Sequence, residues 1–116
     1  MKGEADDAAY LWDMLDAAKA ALSFSEGINF EQYFHDRKAQ LAVERAIEII
    51  GEAAHHVSPD FQNSHPEIPW RQIVAQRNVL AHEYGEIQQE RLWVLLQNQL
   101  PQLILALESC VPSIPR

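Results

Sequence analysis

Residues 77–84 hold four polar side chains that could take part in a reaction: Arg77, Asn78, His82 and Tyr84. Cleavage of a phosphodiester beside a 2′-hydroxyl needs a group that exchanges a proton and a fixed cation, and it needs no metal. Histidine titrates near neutral pH and suits the proton transfer, which contributes roughly 10²–10⁴ to a rate. Arginine keeps its charge, and its planar fork fits phosphate oxygens. Arg77 and His82 are therefore the candidate catalytic residues.

The spacing of these residues gives their relative directions on a helix. At about 100° per residue, Asn78 and His82 lie one turn apart on the same face, and Arg77 and Tyr84 nearly align two turns apart. Arg77 and His82 diverge by roughly 140°. Because such pairs occur by chance in many helices, the spacing alone favours a surface or interface histidine beside a solvated arginine. In the catalytic alternative, Asn78 has a supporting role: it orients His82 or contacts RNA.

Periodic apolar residues around this stretch predict an all-α fold, an up-and-down four-helix bundle, in a single domain of residues 1–116. Asn29 and Gln32 form a capping signal at the start of the second helix. Two prolines predict a surface loop over residues 58–68, and Pro101 predicts a kink inside the last helix rather than a break. The predicted helices span residues 6–25, 29–57, 69–85 and 88–110, and residues 111–116 form a frayed tail.

The same periodicity predicts which apolar side chains are buried. The three tryptophans, Trp12, Trp70 and Trp93, are expected in or beside the core rather than as platforms for stacked bases. In the second helix, the predicted buried positions are Phe30, Phe34, Leu41, Ala42, Ile49, Ile50, Ala53 and Val57.

Composition limits the function classes. The formal net charge of −8 opposes loose binding of nucleic acid but does not exclude a locally basic cleft. No apolar run reaches the length of a bilayer, so we expect a cytoplasmic protein with no membrane contact. Cys110 is the single cysteine, which predicts neither a disulfide nor a thiolate zinc site.

The histidines could suggest a metal site. Glu52 and His55 resemble half of a carboxylate-bridged di-iron site, but the second Glu-x-x-His pair is absent, so the sequence predicts no metal and no cofactor. The histidines outside residues 77–84 are expected to be surface or loop residues: His35, His55, His56 and His65.

Over nearly its full length, the sequence resembles the HEPN superfamily, and within it the HepT-like toxins encoded next to a small MntA-type nucleotidyltransferase. The family motif is an arginine, four residues, a histidine, one residue and a tyrosine, which Arg77, His82 and Tyr84 match. Two positions depart from it: Ala75 stands where relatives often carry glycine, and Ala8 where many carry a charged residue. Ala75 puts the distance between packed helices in doubt. The resembling blocks are residues 10–13, 47–53, 65–71, 77–84 and 100–101.

The resemblance implies a toxin that is a metal-independent endoribonuclease, cleaving RNA such as tRNA or mRNA. It implies a homodimer in which each subunit supplies Arg77 and His82 to a site at the two-fold interface. It also implies that an MntA-like nucleotidyltransferase antitoxin silences the toxin by AMPylation of Tyr84. Three alternatives stay open at this point. Tyr84 could simply cap its helix, the chain could be a non-catalytic dimer that is substrate or scaffold for the nucleotidyltransferase, or it could be a plain structural dimer.

Overall fold

A computed structural model describes residues 4–82 and 89–110, and their side chains over residues 6–78 and 89–110. Residues 4–82 and 89–110 contain helices and no strand, which confirms the predicted all-α bundle. The helices are α1 (Glu4–Phe24), α2 (Phe30–Phe34), α3 (Arg37–His56), α4 (Pro59–Ser64), α5 (Trp70–His82), α6 (Gln89–Val94) and α7 (Leu100–Cys110), with a π-helical turn at Leu95–Gln99 between the last two.

The long helix α3 lies between two others, packing against α1 on one side and against α5 on the other, and α1 also packs against α7. The long helices contribute most of the buried apolar side chains of the core, and burial of each large side chain stabilises the fold by about 1.5–3 kcal/mol. The buried side chains include Leu11, Met14 and Ala18 of α1, Val43, Ile47, Ile50 and Ala54 of α3, Ile68 and Trp70, and Leu92, Leu96, Leu100, Leu103 and Leu107 of the last helices.

The predicted helix over residues 29–57 is wrong in one respect, because it breaks at His35 and Asp36. The capping box at Asn29 is present, as predicted. Asp36 then caps a new helix: its side chain accepts a hydrogen bond of 3.0 Å from the backbone N–H of Ala39. The break changes the direction of the chain, so Phe34 and Leu41, both predicted to be buried, are 46% and 50% exposed.

A buried polar network fastens α2 and α3 to the start of α6. The Tyr33 hydroxyl donates to Gln89 Oε1 at 2.7 Å, and Gln89 Nε2 donates to Glu44 Oε2 at 2.7 Å. Arg37 approaches the same carboxylate at 3.5 Å. Burial, reinforced by the negative charge of Glu44, raises the pKa of Tyr33 far above its usual value, so the hydroxyl stays a donor.

The predicted loop over residues 58–68 contains a helix, α4, that the sequence reading missed. Ser58 is its N-cap, accepting from the backbone N–H of Phe61 at 3.2 Å, and Pro59 occupies the first turn, where its missing N–H is no loss. The Ser58 hydroxyl also donates to Asp7 Oδ2 at 2.7 Å. The first of the two prolines that predicted a loop therefore starts a short helix that is tied to α1.

The last helix continues across Pro101, as predicted. The helix accommodates the proline by a π-helical turn just before it. Proline has no N–H and its ring crowds the carbonyl four residues earlier. The backbone N–H of Leu100 bonds to the carbonyl of Leu95, five residues back, which widens the helix at this point. The predicted tail, residues 111–116, lies outside the described residues. Over residues 4–82 and 89–110, none of the helices has the length and apolarity that crossing a bilayer would require.

Candidate active site

The contact between α3 and α5 at Gly51 fixes where Arg77 lies. Gly51 is buried, and a Cβ placed on it would overlap the Cβ of Arg77 and come within 2.9 Å of its Cγ and 3.1 Å of the Ile73 carbonyl oxygen. Only glycine permits this approach. From the sequence, Ala75 was expected to affect the distance between packed helices, but Ala75 is exposed. The residue that sets the distance between α3 and α5 is Gly51.

Arg77 is held by two side chains, one on α3 and one on its own helix. Its Nη2 donates to Glu52 Oε2 in an ion pair, and its Nη1 donates to Asn78 Oδ1 at 2.8 Å. The Arg77 side chain is 30% exposed and that of Glu52 is 51% exposed, so the pair lies at the surface and is open to a ligand. A guanidinium has five N–H donors. These two contacts therefore leave Arg77 able to bind phosphate oxygens.

The Glu52 carboxylate has a second basic neighbour besides Arg77, the imidazole of His56. Oε1 of Glu52 lies 3.3 Å from Nε2 of His56, one turn further along α3. The hydrogen bond from Arg77, and after it the contact with His56, holds the pKa of the Glu52 carboxyl below its usual value. Glu52 therefore stays ionised at neutral pH.

A ring contact connects this cluster to α1. The rings of Tyr10 and His56 stack with centroids 5.2 Å apart and an interplanar angle of 22°. Tyr10, His56, Glu52, Arg77 and Asn78 thus form one continuous run of side chains across α1, α3 and α5. We call this run the Arg77 cluster.

The other two predicted site residues can be placed only in part. His82 is the last residue of α5 in the described range, so it shares a continuous helix with Arg77 and Asn78, but its side chain lies outside the described residues. Asn78 and His82 are four residues, about one turn, apart on that helix. Tyr84 lies outside the described residues altogether. The juxtaposition of Arg77 and His82 side chains stays a prediction.

A groove runs beside α5, between that helix and α6–α7. Its volume is about 710 Å³. Ile47 and Ile50 of α3 are among its apolar lining residues, and Gln72 and Gln76 line it from α5. Because Gln76 directly precedes Arg77 in the chain, the middle of α5 contributes both to the groove and to the Arg77 cluster.

The sequence analysis gave no site role to Glu52 or to the neighbouring Gly51. Glu52 was considered only as half of a metal site with His55, whereas its described partners are Arg77 and His56. Gly51 entered only as part of the resembling block of residues 47–53. The available signal was a glycine inside an otherwise regular helix, beside an acid spaced four residues from a histidine.

Comparison with protein families shows which group of proteins the chain belongs to. The family model described as Ribonuclease HepT-like matches residues 14–110, which include Glu52, Arg77, Asn78 and His82. The chain belongs to the HepT-like ribonuclease family. The resemblance to HepT-like ribonucleases found in the sequence is thereby confirmed.

Several curated proteins are similar to this HepT-like chain. "Probable ribonuclease HepT" of Thermococcus cleftensis is 40% identical over 94 residues, which are 81% of this chain and 86% of that protein. "Putative RNase MJ1380" of Methanocaldococcus jannaschii is 34% identical over 98 residues, covering 84% and 90%. "Putative RNase MJ0127" of the same organism is 34% identical over 109 residues, covering 94% and 90%. No solved structure matches the chain significantly. Family and relatives together support ribonuclease activity.

Proposed function

We propose that this HepT-like chain is a metal-independent endoribonuclease, the toxin of a toxin–antitoxin module, and that it cleaves RNA with Arg77 and His82. The observation that carries the proposal is the way in which α5 presents Arg77. The guanidinium is fixed between Glu52 and Asn78 on the helix that also carries His82, and part of it faces solvent. Membership of a ribonuclease family supports the same conclusion.

In the proposed reaction, Arg77 binds the scissile phosphate and stabilises the charge that develops on its oxygens. One imidazole accepts the proton of the 2′-hydroxyl while that oxygen attacks phosphorus. A second imidazole donates a proton to the departing 5′-oxygen. The products are a 2′,3′-cyclic phosphate and a free 5′-hydroxyl, and no oxidant or metal takes part. Glu52 keeps the guanidinium oriented and is itself not a proton carrier, because its pKa is lowered.

The need for an acid and a base at the same time supports a homodimer. Each chain carries a single histidine in the motif, and an isologous interface would bring two copies of it together. The groove beside α5 has the exposed apolar side chain of Val94 in its lining, which offers surface for a second copy. Light scattering during gel filtration tests this step. A monomer at the concentrations at which RNA is cleaved would contradict it.

The test of the chemistry is RNA cleavage by purified protein in the presence of EDTA. Arg77→Ala and His82→Ala should each lose cleavage. Arg71→Ala is the matched control, because Arg71 is an exposed arginine on the same helix that belongs to no part of the Arg77 cluster. If cleavage survives in both motif variants, the proposed site is wrong.

We propose further that an MntA-like nucleotidyltransferase antitoxin transfers AMP to Tyr84. The added phosphates would neutralise the field of Arg77 and occupy the space that RNA needs. The family motif supports this assignment. Mass spectrometry after co-expression with the antitoxin should show a mass increase on the Tyr84 peptide, and Tyr84→Phe should abolish it. A modification that persists in Tyr84→Phe would place it elsewhere.

The second candidate function is a non-catalytic helical dimer that serves as substrate or scaffold for the nucleotidyltransferase. Two observations favour it: the net charge of −8, and the engagement of Arg77 by the carboxylate of Glu52. Modification of Tyr84 together with a blank RNA assay, at low and at moderate salt, would support this function instead.

A further inference from the structure

Three side chains with metal-binding atoms meet on the face where α4 and the segment before α5 approach the end of α7. His65 is the C-cap of α4, Glu67 follows in the connecting segment, and Cys110 is the last residue of α7. Cys110 Sγ lies 3.2 Å from His65 Nδ1 and 3.8 Å from Glu67 Oε2, and Nδ1 and Oε2 are 3.0 Å apart. Neither the Arg77 cluster nor the proposed reaction uses any of the three.

These separations are close to the edges of a tetrahedral zinc site. Zinc bonds of about 2.0–2.2 Å to nitrogen or oxygen and about 2.3 Å to sulfur give ligand–ligand edges of about 3.4–3.6 Å. All the potential ligand atoms lie within 4.8 Å of one another. Small side-chain rotations would therefore bring them around one ion. An imidazole, a thiolate and a carboxylate suit Zn²⁺, whereas Ca²⁺ and Mg²⁺ prefer sites built from oxygen ligands alone.

The packing around His65 holds its ring in place. Phe61 lies against it with ring centroids 4.4 Å apart, and the backbone carbonyl of His65 accepts a hydrogen bond of 3.0 Å from the indole N–H of the buried Trp70. Such outer contacts orient the ligand before an ion arrives. Glu67 is exposed, so an ion could enter from solvent.

Zinc binding at Cys110 would exchange a proton for a cation. A bound Zn²⁺ would take the thiolate form and release that proton to solvent, as zinc sites with cysteine ligands do.

We propose that His65, Glu67 and Cys110 bind one Zn²⁺ ion per chain, with water in the fourth position, and that the ion fastens the end of α7 to the segment between α4 and α5. His65 and Cys110 are 45 residues apart in sequence, so the ion would close a long loop. The three ligands lie outside the Arg77 cluster, which keeps the ion separate from RNA cleavage. The sequence reading excluded a thiolate zinc site because it expected a zinc site to need more than one cysteine.

Cobalt substitution tests the proposal on tag-free, reduced protein. Co²⁺ added to the wild type should give the visible bands of a tetrahedral ion and a near-ultraviolet thiolate-to-cobalt charge-transfer band, saturating at one ion per chain. Zn²⁺ should displace it. Cys110→Ser should lose the charge-transfer band, and Glu67→Gln should bind at least roughly tenfold more weakly, since it removes a charged ligand. His35→Ala should bind as the wild type does, because His35 is exposed and lies outside these three residues.

Thermal unfolding provides a second readout, because an ion that binds only the folded state raises Tm. At free Zn²⁺ about 100 times Kd, the Tm of the wild type should rise by roughly 10 °C. Cys110→Ser should fold without metal and show a much smaller rise. Absence of stoichiometric binding by the wild type, or equally tight binding by Cys110→Ser, would overturn the proposal. Because Cys110 lies outside the Arg77 cluster, Cys110→Ser should cleave RNA in EDTA as the wild type does, whether or not the wild type binds zinc. The zinc proposal and the ribonuclease proposal can therefore fail separately.

Discussion

Replacing Gly51 by alanine should push α5 away from α3. The added Cβ would overlap the Cβ of Arg77, which is anchored directly to the α5 backbone and cannot rotate away. Overpacking of this kind costs about 1–3 kcal/mol. Because the overlapping atom is not the far end of a flexible side chain, we expect the upper end of that range. Alanine also gains about 1 kcal/mol over glycine in a helix interior. The net expectation is a loss of about 2 kcal/mol.

Urea and thermal unfolding measure this loss, which corresponds to a decrease in Tm of roughly 8 °C. The decisive control is a double-mutant cycle with Arg77→Gly, which removes the other Cβ. If the overlap is the cause, Gly51→Ala should destabilise the Arg77→Gly background much less than the wild type, with a coupling of about 1–3 kcal/mol. A neutral or stabilising effect of Gly51→Ala in the wild type would refute the reasoning, because it would mean that only helix propensity changes. In the cleavage assay, a displacement of about 1 Å at Arg77 should reduce the rate roughly 10²-fold.

Three further substitutions test other contacts. Glu52→Gln should leave unfolding at pH 7 nearly unchanged, because the pair with Arg77 is at the surface, but should slow RNA cleavage. Because the pKa of Glu52 is lower in the folded state, the ionised carboxylate stabilises the fold above the ordinary glutamate pKa. This contribution is lost as the pH falls through the folded-state pKa. The small excess in unfolding free energy of the wild type over Glu52→Gln, measured in urea, should therefore vanish in acid. Tyr33→Phe leaves the buried Gln89 oxygen without its 2.7 Å donor and should cost about 1–3 kcal/mol in urea unfolding; no change would contradict the network. Asp36→Ala removes the cap of α3 and should cost about 1 kcal/mol, seen as a lower urea midpoint at unchanged slope, whereas a loss below about 0.3 kcal/mol would show that the cap is dispensable.

Local patterns were enough to predict most of the helices. The capping box at Asn29 and the helix predicted over residues 88–110 are both present, because caps and 3.6-residue periodicity depend on residues only a few positions apart. The break before Asp36 also had a local signal, since aspartate is a strong N-cap residue. It was missed because the apolar positions around it suggested one continuous helix.

The sequence by itself determined the all-α fold, the family, and the presence of Arg77, Asn78 and His82 on one helix, because each of these follows from residue types at short spacing. Only the tertiary structure decided that Glu52 binds Arg77 and that Gly51 admits it, since those contacts span 25 and 26 residues and depend on how α3 and α5 pack. The meeting of His65 and Glu67 with Cys110 has the same origin. Periodicity indicates which face of a helix is buried, but the identity of the residue across the interface depends on the axial register and crossing of two helices, which are set by packing of the whole core.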